Sequence, residues 1–325
     1  MNKIGMQNGA RRLVEINAGM RSTEKALIVT DTEHIEIATA MAYAVKSIGA
    51  EFTVAIMEPR RTHGEDPTDA VKAAMKQVDV VFAPTKYSLS HSVAREEANA
   101  LGVRFISMPD YNGQMLCGGA IEADFLEIYE NRVIKLQNIL TEANEIHITT
   151  KAGTDMWLRA DGRVGNEVSG VCRKPGSWGS PPNIEVNVSP IEDKSYGVVH
   201  VDGSIPCEEI GLLSEEVILT FENGRIGDFG PTKTGEVFKQ VLNGDSEPNN
   251  LVLAEFGIGL NDKARICGSM LEDEGAYTTV HFGIGHNADQ GGQNVATKHI
   301  DCVFRNATVV IDKVTVIEDG RIVCL

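Results

Sequence analysis

Two six-residue stretches of this 325-residue chain nearly coincide: Phe256-Gly-Ile-Gly-Leu-Asn261 and Phe282-Gly-Ile-Gly-His-Asn287. Each is preceded by a residue type that ligates divalent metals, Glu255 in one case and His281 in the other. If both stretches are strands that end in tight glycine turns, equivalent positions aim these two side chains at related places. Downstream lies His299-Ile-Asp301. Residues two apart on an extended chain project to one face, so this imidazole and carboxylate reach one ion together. Gly291-Gly292-Gln-Asn294 just upstream lets the backbone come close. The chemistry this points to is a cation held by nitrogen and oxygen donors.

Four further residues bear on the same site. Glu185 follows Pro181-Pro182 in a strand with apolar Ile184, Val186 and Val188, so alternation puts it on the face opposite those residues. On pattern alone that is the solvent face. Glu274 closes the acidic run Glu272-Asp-Glu274, which reads as a solvated turn or as support for a metal ligand. Asp155 in Gly153-Thr-Asp155 either holds the site or caps a turn. His286 sits in the second glycine turn, with solvent exposure, metal ligation and acid/base work all open to it.

The elements that must position these residues divide into two textures. Over the first 144 residues, short apolar runs alternate with helical spacing: strands at 26–30, 52–57, 78–82 and 103–107, with helices at 35–48, 68–78 and 90–101. That alternation predicts an α/β domain with a parallel, doubly wound sheet, and a long helix over 120–143 leads out of it. Thr30-Asp-Thr-Glu-His34 occupies the first strand-to-helix turn, and no GxGxxG is present, so a dinucleotide site is not expected. Over 145–325, glycine is frequent and short β-type runs are separated by turn signals such as Asn223-Gly224 and Asp319-Gly320. This predicts a β-rich (α+β) domain with a curled antiparallel sheet that carries the metal ligands.

With 46 acidic and 30 basic residues the net charge is −16, which argues against nucleic acid and anionic membrane surfaces as partners. The six cysteines show no CxxC spacing. No stretch reaches the roughly 18 apolar residues of a membrane span. The expectation is a cytoplasmic protein that acts on a small molecule or short peptide.

The ordered set Gly153-Thr-Asp155, Asn183-Ile-Glu-Val186, Glu255 through Asn261, Leu271-Glu-Asp-Glu-Gly275, Thr279-Val-His-Phe-Gly-Ile-Gly285 and His299-Ile-Asp301 resembles the thermophilic aminopeptidase T/aminopeptidase S family. The resemblance covers most of the chain. It implies a pair of divalent ions (zinc, cobalt or manganese) held by Glu185, Glu255, His281, His299 and Asp301, and it turns Glu185 from a surface acid into a ligand. It also implies a homodimer. The activity implied is a metallo-hydrolase that cleaves an amide or peptide bond of a small substrate with metal-activated water. The family's catalytic tyrosine falls at Ala288 here, which leaves His286 as the nearest donor for an oxyanion beside Glu185. A shorter relative, 2,5-dihydroxypyridine 5,6-dioxygenase, is similar over Lys151–Asp155 and the terminal His-x-Asp. Its single Fe(II) is bound by two histidines and an aspartate, with histidine at the position of Glu255, and it lacks equivalents of Glu185 and His281. Weighting the ligands puts the hydrolase first. The alternative is an Fe(II) ring-cleaving dioxygenase using Glu255, His299 and Asp301. A non-catalytic binding or scaffold descendant is the third reading.

Overall fold

Caps and glycines punctuate the first part of the chain. In the computed structural model, which describes residues 3–325, helix α1 (Lys3–Arg12) is followed by β1 (Lys25–Asp31), α2 (Ile35–Ser47), β2 (Glu51–Met57), α3 (Asp69–Met75), β3 (Val80–Thr85), α4 (Val93–Ala100) and β4 (Arg104–Pro109). Ser92 caps α4 by accepting a hydrogen bond from the Arg95 amide. The strands form a parallel sheet in the order β2-β1-β3-β4, extended by the two-residue strand Trp178–Gly179. One of its faces packs Leu27, Val29, Val81 and Phe105 against Val71 and Met75 of α3 and Ala94 and Ala98 of α4. In the turn after β1, the buried Asp31 carboxylate accepts hydrogen bonds from the amides of Glu33, His34 and Lys86 and pairs with His34 Nδ1 at 2.8 Å. That side chain fills the place where a dinucleotide fold needs bare backbone.

The helix expected over 120–143 is interrupted. Gly119–Glu122 is a separate turn, Ala123 is extended (ψ 151°), and helical structure resumes with Phe125–Ile128. The chain then makes a wide i→i+5 turn over Tyr129–Val133 before Ile134–Glu142. Two compact units result, one running to Leu126 and taking in Ser169–Pro182, the other comprising Glu127–Val168 and Asn183–Leu325.

The second unit holds two antiparallel sheets. The seven-stranded one contains four strands that matter for function: β5 (Glu185–Val188), β6 (Leu253–Gly259), β7 (Thr279–Gly285) and β8 (His299–Arg305). They are neighbours in the order β8-β7-β6-β5, with Asn166–Val168 beyond β5 and Ser204–Ile205 and Gly211–Leu212 beyond β8. The eight-stranded sheet places Glu145–Thr149, Asp155–Arg159, Tyr196–Val201 and Val217–Glu222 side by side, with further strands at both edges. The sheets meet through phenylalanines: Phe282 lies 5.2 Å from Phe304, 6.0 Å from Phe256 and 6.5 Å from Phe221 of the other sheet, centroid to centroid. Burying these rings, with the aliphatic side chains around them, helps hold the sheets face to face. Among the described residues no helix is long and apolar enough to cross a membrane.

Candidate metal centre

Strand alternation sorts the chemistry from the core. On β6, Phe256 and Ile258 enter the core while Glu255, Gly257 and Gly259 share the other face. On β7, Val280, Phe282 and Ile284 enter the core and His281, Gly283 and Gly285 face away, and on β8 His299 and Asp301 do the same. Register then brings the polar residues together. Glu185 is opposite Gly259, His281 opposite Gly257, His299 opposite Gly285, and Gly283 stands between Glu255 and Asp301. Every one of the five side chains therefore has a glycine as its cross-strand neighbour. The need for that space is direct: a Cβ at Gly257 would lie 2.0 Å from His281 Nε2, and one at Gly283 would lie 2.6 Å from His299 Nε2. The repeated Phe-Gly-Ile-Gly is thus two strands alternating a core ring with a bare floor for a ligand.

The five side chains form two overlapping groups, Glu185–Glu255–His281 and Glu255–His299–Asp301, each with ligand atoms within 4.8 Å of one another. His281 Nε2 is 3.4 Å from Glu185 Oε2 and 3.3 Å from Glu255 Oε1. His299 Nε2 is 3.2 Å from Glu255 Oε2 and 3.4 Å from Asp301 Oδ1. These separations exceed the roughly 2.7–2.9 Å of a charge-assisted hydrogen bond. They suit ligands that share an ion, because two donors each about 2.1 Å from one cation stand roughly 3 Å apart. Glu185 Oε2 and Asp301 Oδ1 are buried and accept no hydrogen bond. Hard carboxylate oxygens beside imidazole nitrogens are a donor set for a divalent cation, and the residues fit one.

The surroundings hold the ligands in place. Asn187, two residues from Glu185 on the same face, donates to Glu185 Oε1 at 3.0 Å. His299 Nδ1 donates to the His286 carbonyl at 2.6 Å, which commits Nε2 to the site. Glu274 is buried, accepts from Asn183 Nδ2 at 3.1 Å and shares a hydrogen bond with Asp301. Burial first, and then the charge of Asp301, pushes the Glu274 carboxyl well above the usual carboxylate range. Burial also lifts Glu185, to about 7. Burial alone would lift Glu255 and Asp301 too, but bonds from the two histidines outweigh it for Glu255, and the charge of His299 does so for Asp301. The histidines respond in kind: against their burial, the charge of Glu185 draws His281 up to about 9, and that of Asp301 draws His299 well above its ordinary value.

A family model for 2,5-dihydroxypyridine 5,6-dioxygenase matches residues 12–324. The chain belongs to the 2,5-dihydroxypyridine 5,6-dioxygenase family. The enzyme of that name from Pseudomonas putida KT2440 is 24% identical over 267 residues, 78% of this chain and 73% of its own. The solved structure of 2,5-dihydroxypyridine dioxygenase from Pseudomonas putida KT2440 superposes with a TM-score of 0.85 at 18% identity, covering 100% of this chain and 99% of that one. Wild-type AmpT from Thermus thermophilus superposes with a TM-score of 0.72 at 15% identity, over 99% and 100% of the two chains.

Membership of the dioxygenase family corrects the hydrolase expectation. The likeness to the aminopeptidase is one of fold, and a metallo-hydrolase, aminopeptidase or metalloprotease is not the activity the family match points to. With the hydrolase goes the oxyanion role given to His286. Its ring is engaged within its own loop, Nδ1 accepting from the Ala296 amide and Nε2 standing 3.5 Å from Asp289, and only its carbonyl serves the site. Asp155 is also placed elsewhere. It lies on the eight-stranded sheet, largely exposed and paired with His147 at 2.8 Å, because its strand pairs with Glu145–Thr149 and Tyr196–Val201. Glu185 is 4% exposed, not on a solvent face: His281 Nε2 stands 3.4 Å from its Oε2 and Asn187 Nδ2 donates to its Oε1 at 3.0 Å, so the carboxylate is enclosed by the site. Asn183 and Asn187 escaped the sequence reading. The signal for Asn187 was its i+2 spacing from Glu185, the same spacing that marked His299 and Asp301.

Proposed function

We propose that this chain is a ring-cleaving dioxygenase that holds one Fe(II) through Glu255, His299 and Asp301 and opens a hydroxylated pyridine or a closely related hydroxylated ring. The observation that carries this reading is the convergence of those three side chains on one buried sheet face, in a chain matched to the dioxygenase family over nearly its whole length. Bound there, ferrous iron supplies the one-electron chemistry by which ground-state O2 reacts with a ring. Dioxygenation breaks one ring carbon–carbon bond and leaves both oxygen atoms of O2 in the product, so no outside reductant is consumed.

The remaining residues set charge and protons. Two carboxylates and one imidazole balance a dipositive ion, whereas two histidines and one carboxylate leave a net positive charge. Glu185 Oε2, buried and free of hydrogen bonds, is the atom placed to take a proton when a ring hydroxyl ionises. His281 keeps Glu185 and Glu255 apart by facing both. Glu274, whose carboxyl burial and the charge of Asp301 push well above the usual carboxylate range, shares a hydrogen bond with Asp301 and steadies it.

The test is anaerobic loading of the apoprotein with ferrous iron, elemental analysis, and oxygen uptake with 2,5-dihydroxypyridine as the probe. One iron per chain and one O2 consumed per ring lost are expected. His299→Ala abolishes iron retention, whereas Glu185→Gln keeps the iron and loses turnover by about 100-fold, the scale of one general-base contribution. Two ions per chain, with one lost in Glu185→Gln, would overturn the single-iron assignment. Iron-loaded protein that takes up no oxygen with this ring or its hydroxylated analogues would overturn the dioxygenase.

A further inference from the structure

The strand beyond β5, Asn166–Val168, carries a polar residue that metal binding does not explain. Asn166 lies directly across from Asn187 and Val168 directly across from Glu185, so Asn166 and Asn187 share the polar face of the sheet. Asn166 Nδ2 donates to Asn187 Oδ1 at 3.0 Å and to the Gln290 carbonyl at 2.9 Å, and Asn187 Nδ2 donates to Glu185 Oε1 at 3.0 Å. The two ends of this chain force its direction. A backbone carbonyl only accepts, so Asn166 turns its amide nitrogen toward Gln290 and Asn187. An ionised carboxylate also only accepts, so Asn187 turns its nitrogen to Glu185 and its oxygen back to Asn166.

Both supports of Asn166 are anchored. The Gly165 amide donates to Thr141 Oγ1 at 3.0 Å and the Gly165 carbonyl accepts from Gln137 Nε2 at 3.1 Å, which ties the preceding residue to the helix Ile134–Glu142. The Gln290 carbonyl also accepts from Ser189 Oγ at 3.2 Å, and the Gln290 amide donates to the Asn287 carbonyl at 3.0 Å. One loop thereby serves both halves of the centre: the His286 carbonyl orients His299, and the Gln290 carbonyl orients Asn166.

We infer that Asn166 is a positioning residue for Glu185: through Asn187 it occupies Oε1 and leaves Oε2 as the oxygen open to the substrate. The inference rests on the reading of Glu185 as the group that takes the ring proton. Oε2 is the oxygen with no hydrogen bond, and it stands 3.4 Å from His281 Nε2. Without a donor at 166, Asn187 can rotate about its terminal torsion and present its own oxygen to Glu185. Two acceptors then face each other, and the carboxylate turns away.

Asn166→Asp keeps the size of the side chain and removes both of its donors. With 2,5-dihydroxypyridine it should lower kcat by about 10- to 100-fold, the range for losing support around an active group, while KM and iron content stay unchanged. Asn166→Ala should lose less, because its space admits a water that can donate to both oxygens. Unchanged kcat in Asn166→Asp would overturn the inference, and so would the alanine variant being the worse of the two, since that order marks a packing role. Neutron diffraction from D2O-exchanged crystals of the wild-type protein reads the chain without any turnover. It should show the Asn166 deuterons directed at Asn187 and Gln290, and none on Glu185 Oε1. An Asn187 amide turned the other way, or a deuteron on Oε1, overturns the inference. A wild type that opens no hydroxylated ring would sink the dioxygenase reading instead, and the neutron map would still decide the positioning.

Discussion

Gly257 lies directly across the β6–β7 ladder from His281, and the imidazole rests on the backbone where a side chain would otherwise stand. His281 is completely buried, so it has no other place to go. Gly257→Ala should therefore fold but displace the ring, at a cost of about 1–3 kcal/mol in stability from overpacking. Displacement unseats Glu255 as well, because His281 Nε2 faces its Oε1 at 3.3 Å. A fall in iron affinity of about 10- to 100-fold is expected, the range for losing support around a metal. Titration of apoprotein with ferrous iron beside a urea melt separates the two effects. Wild-type affinity in the alanine variant would show that the glycine opposite His281 is incidental.

Asn287 governs the other histidine from a distance. It is wholly buried, its Nδ2 donating to the Ala254 carbonyl at 3.2 Å and its Oδ1 accepting from the Asn294 amide at 2.8 Å. Those bonds close the loop that begins at His286, whose carbonyl orients His299. Asn287→Ala leaves two buried backbone groups without partners, which costs about 1–3 kcal/mol. Because the loop loosens at the His286 end, iron should dissociate at least tenfold faster, read by chelator competition. Asn287→Asp should restore the bond from Asn294 and recover part of the loss.

Much of this centre was legible before any coordinates, for a definite reason. His299 and Asp301 share a strand, and the i, i+2 rule needs nothing beyond the chain itself. Glu255 and His281 were marked by the repeat that follows each of them. What could not be read was register. That Gly257 serves His281 and Gly283 serves His299 depends on how β6, β7 and β8 align, which is settled by long-range pairing. Glu185 failed for a related reason: alternation tells which face a residue takes, but not whether that face is covered. In the first part of the chain the parallel sheet followed from strand–helix alternation, while the helix drawn across 120–143 missed the extended Ala123, which no proline or glycine announces. The reaction was misread because one fold carries both relatives, and a ligand set of acids and imidazoles serves either chemistry.

Cys267 gives a test of local electrostatics away from the metal. The residue is exposed, yet burial of its sulfur, with the charges of Glu272 and Asp273 adding to it, pushes the thiol up to about 12. The thiolate is the nucleophile, so at pH 8 this cysteine should alkylate at least tenfold more slowly than a free cysteine near pKa 8.5. Asp273→Asn should quicken it. Mass spectrometry of iodoacetamide-treated protein reads both, and labelling of Cys267 at the free-thiol rate would contradict the account.

A buried ion pair in the first unit should make that unit sensitive to acid. Glu24 accepts from the Arg21 amide at 2.7 Å and from its guanidinium at 3.0 Å, and it lies 2.9 Å from Arg104 Nη2. Arg104 in turn donates to the Ala18 carbonyl at 2.6 Å, so the pair ties the start of β4 to the segment before β1. Burial pulls the Glu24 carboxyl upward, but the bonds from Arg21 and Arg104 outweigh it and hold the carboxyl below its ordinary value. A depressed carboxyl stabilises the fold fully above its unfolded pKa of about 4.3, and the contribution disappears as pH falls through the lower folded value. Glu24→Gln should thus cost about 1–3 kcal/mol at pH 7, the range for a hydrogen bond to a charged group. The gap between variant and wild type should narrow progressively as pH falls below about 4.3 and close once pH has passed the lower folded value, where both carry a neutral side chain at this position. Urea unfolding at pH 7 and pH 3.5 measures the difference at each end. A gap that stays constant across that interval would mean that Glu24 stabilises by packing and not by its charge.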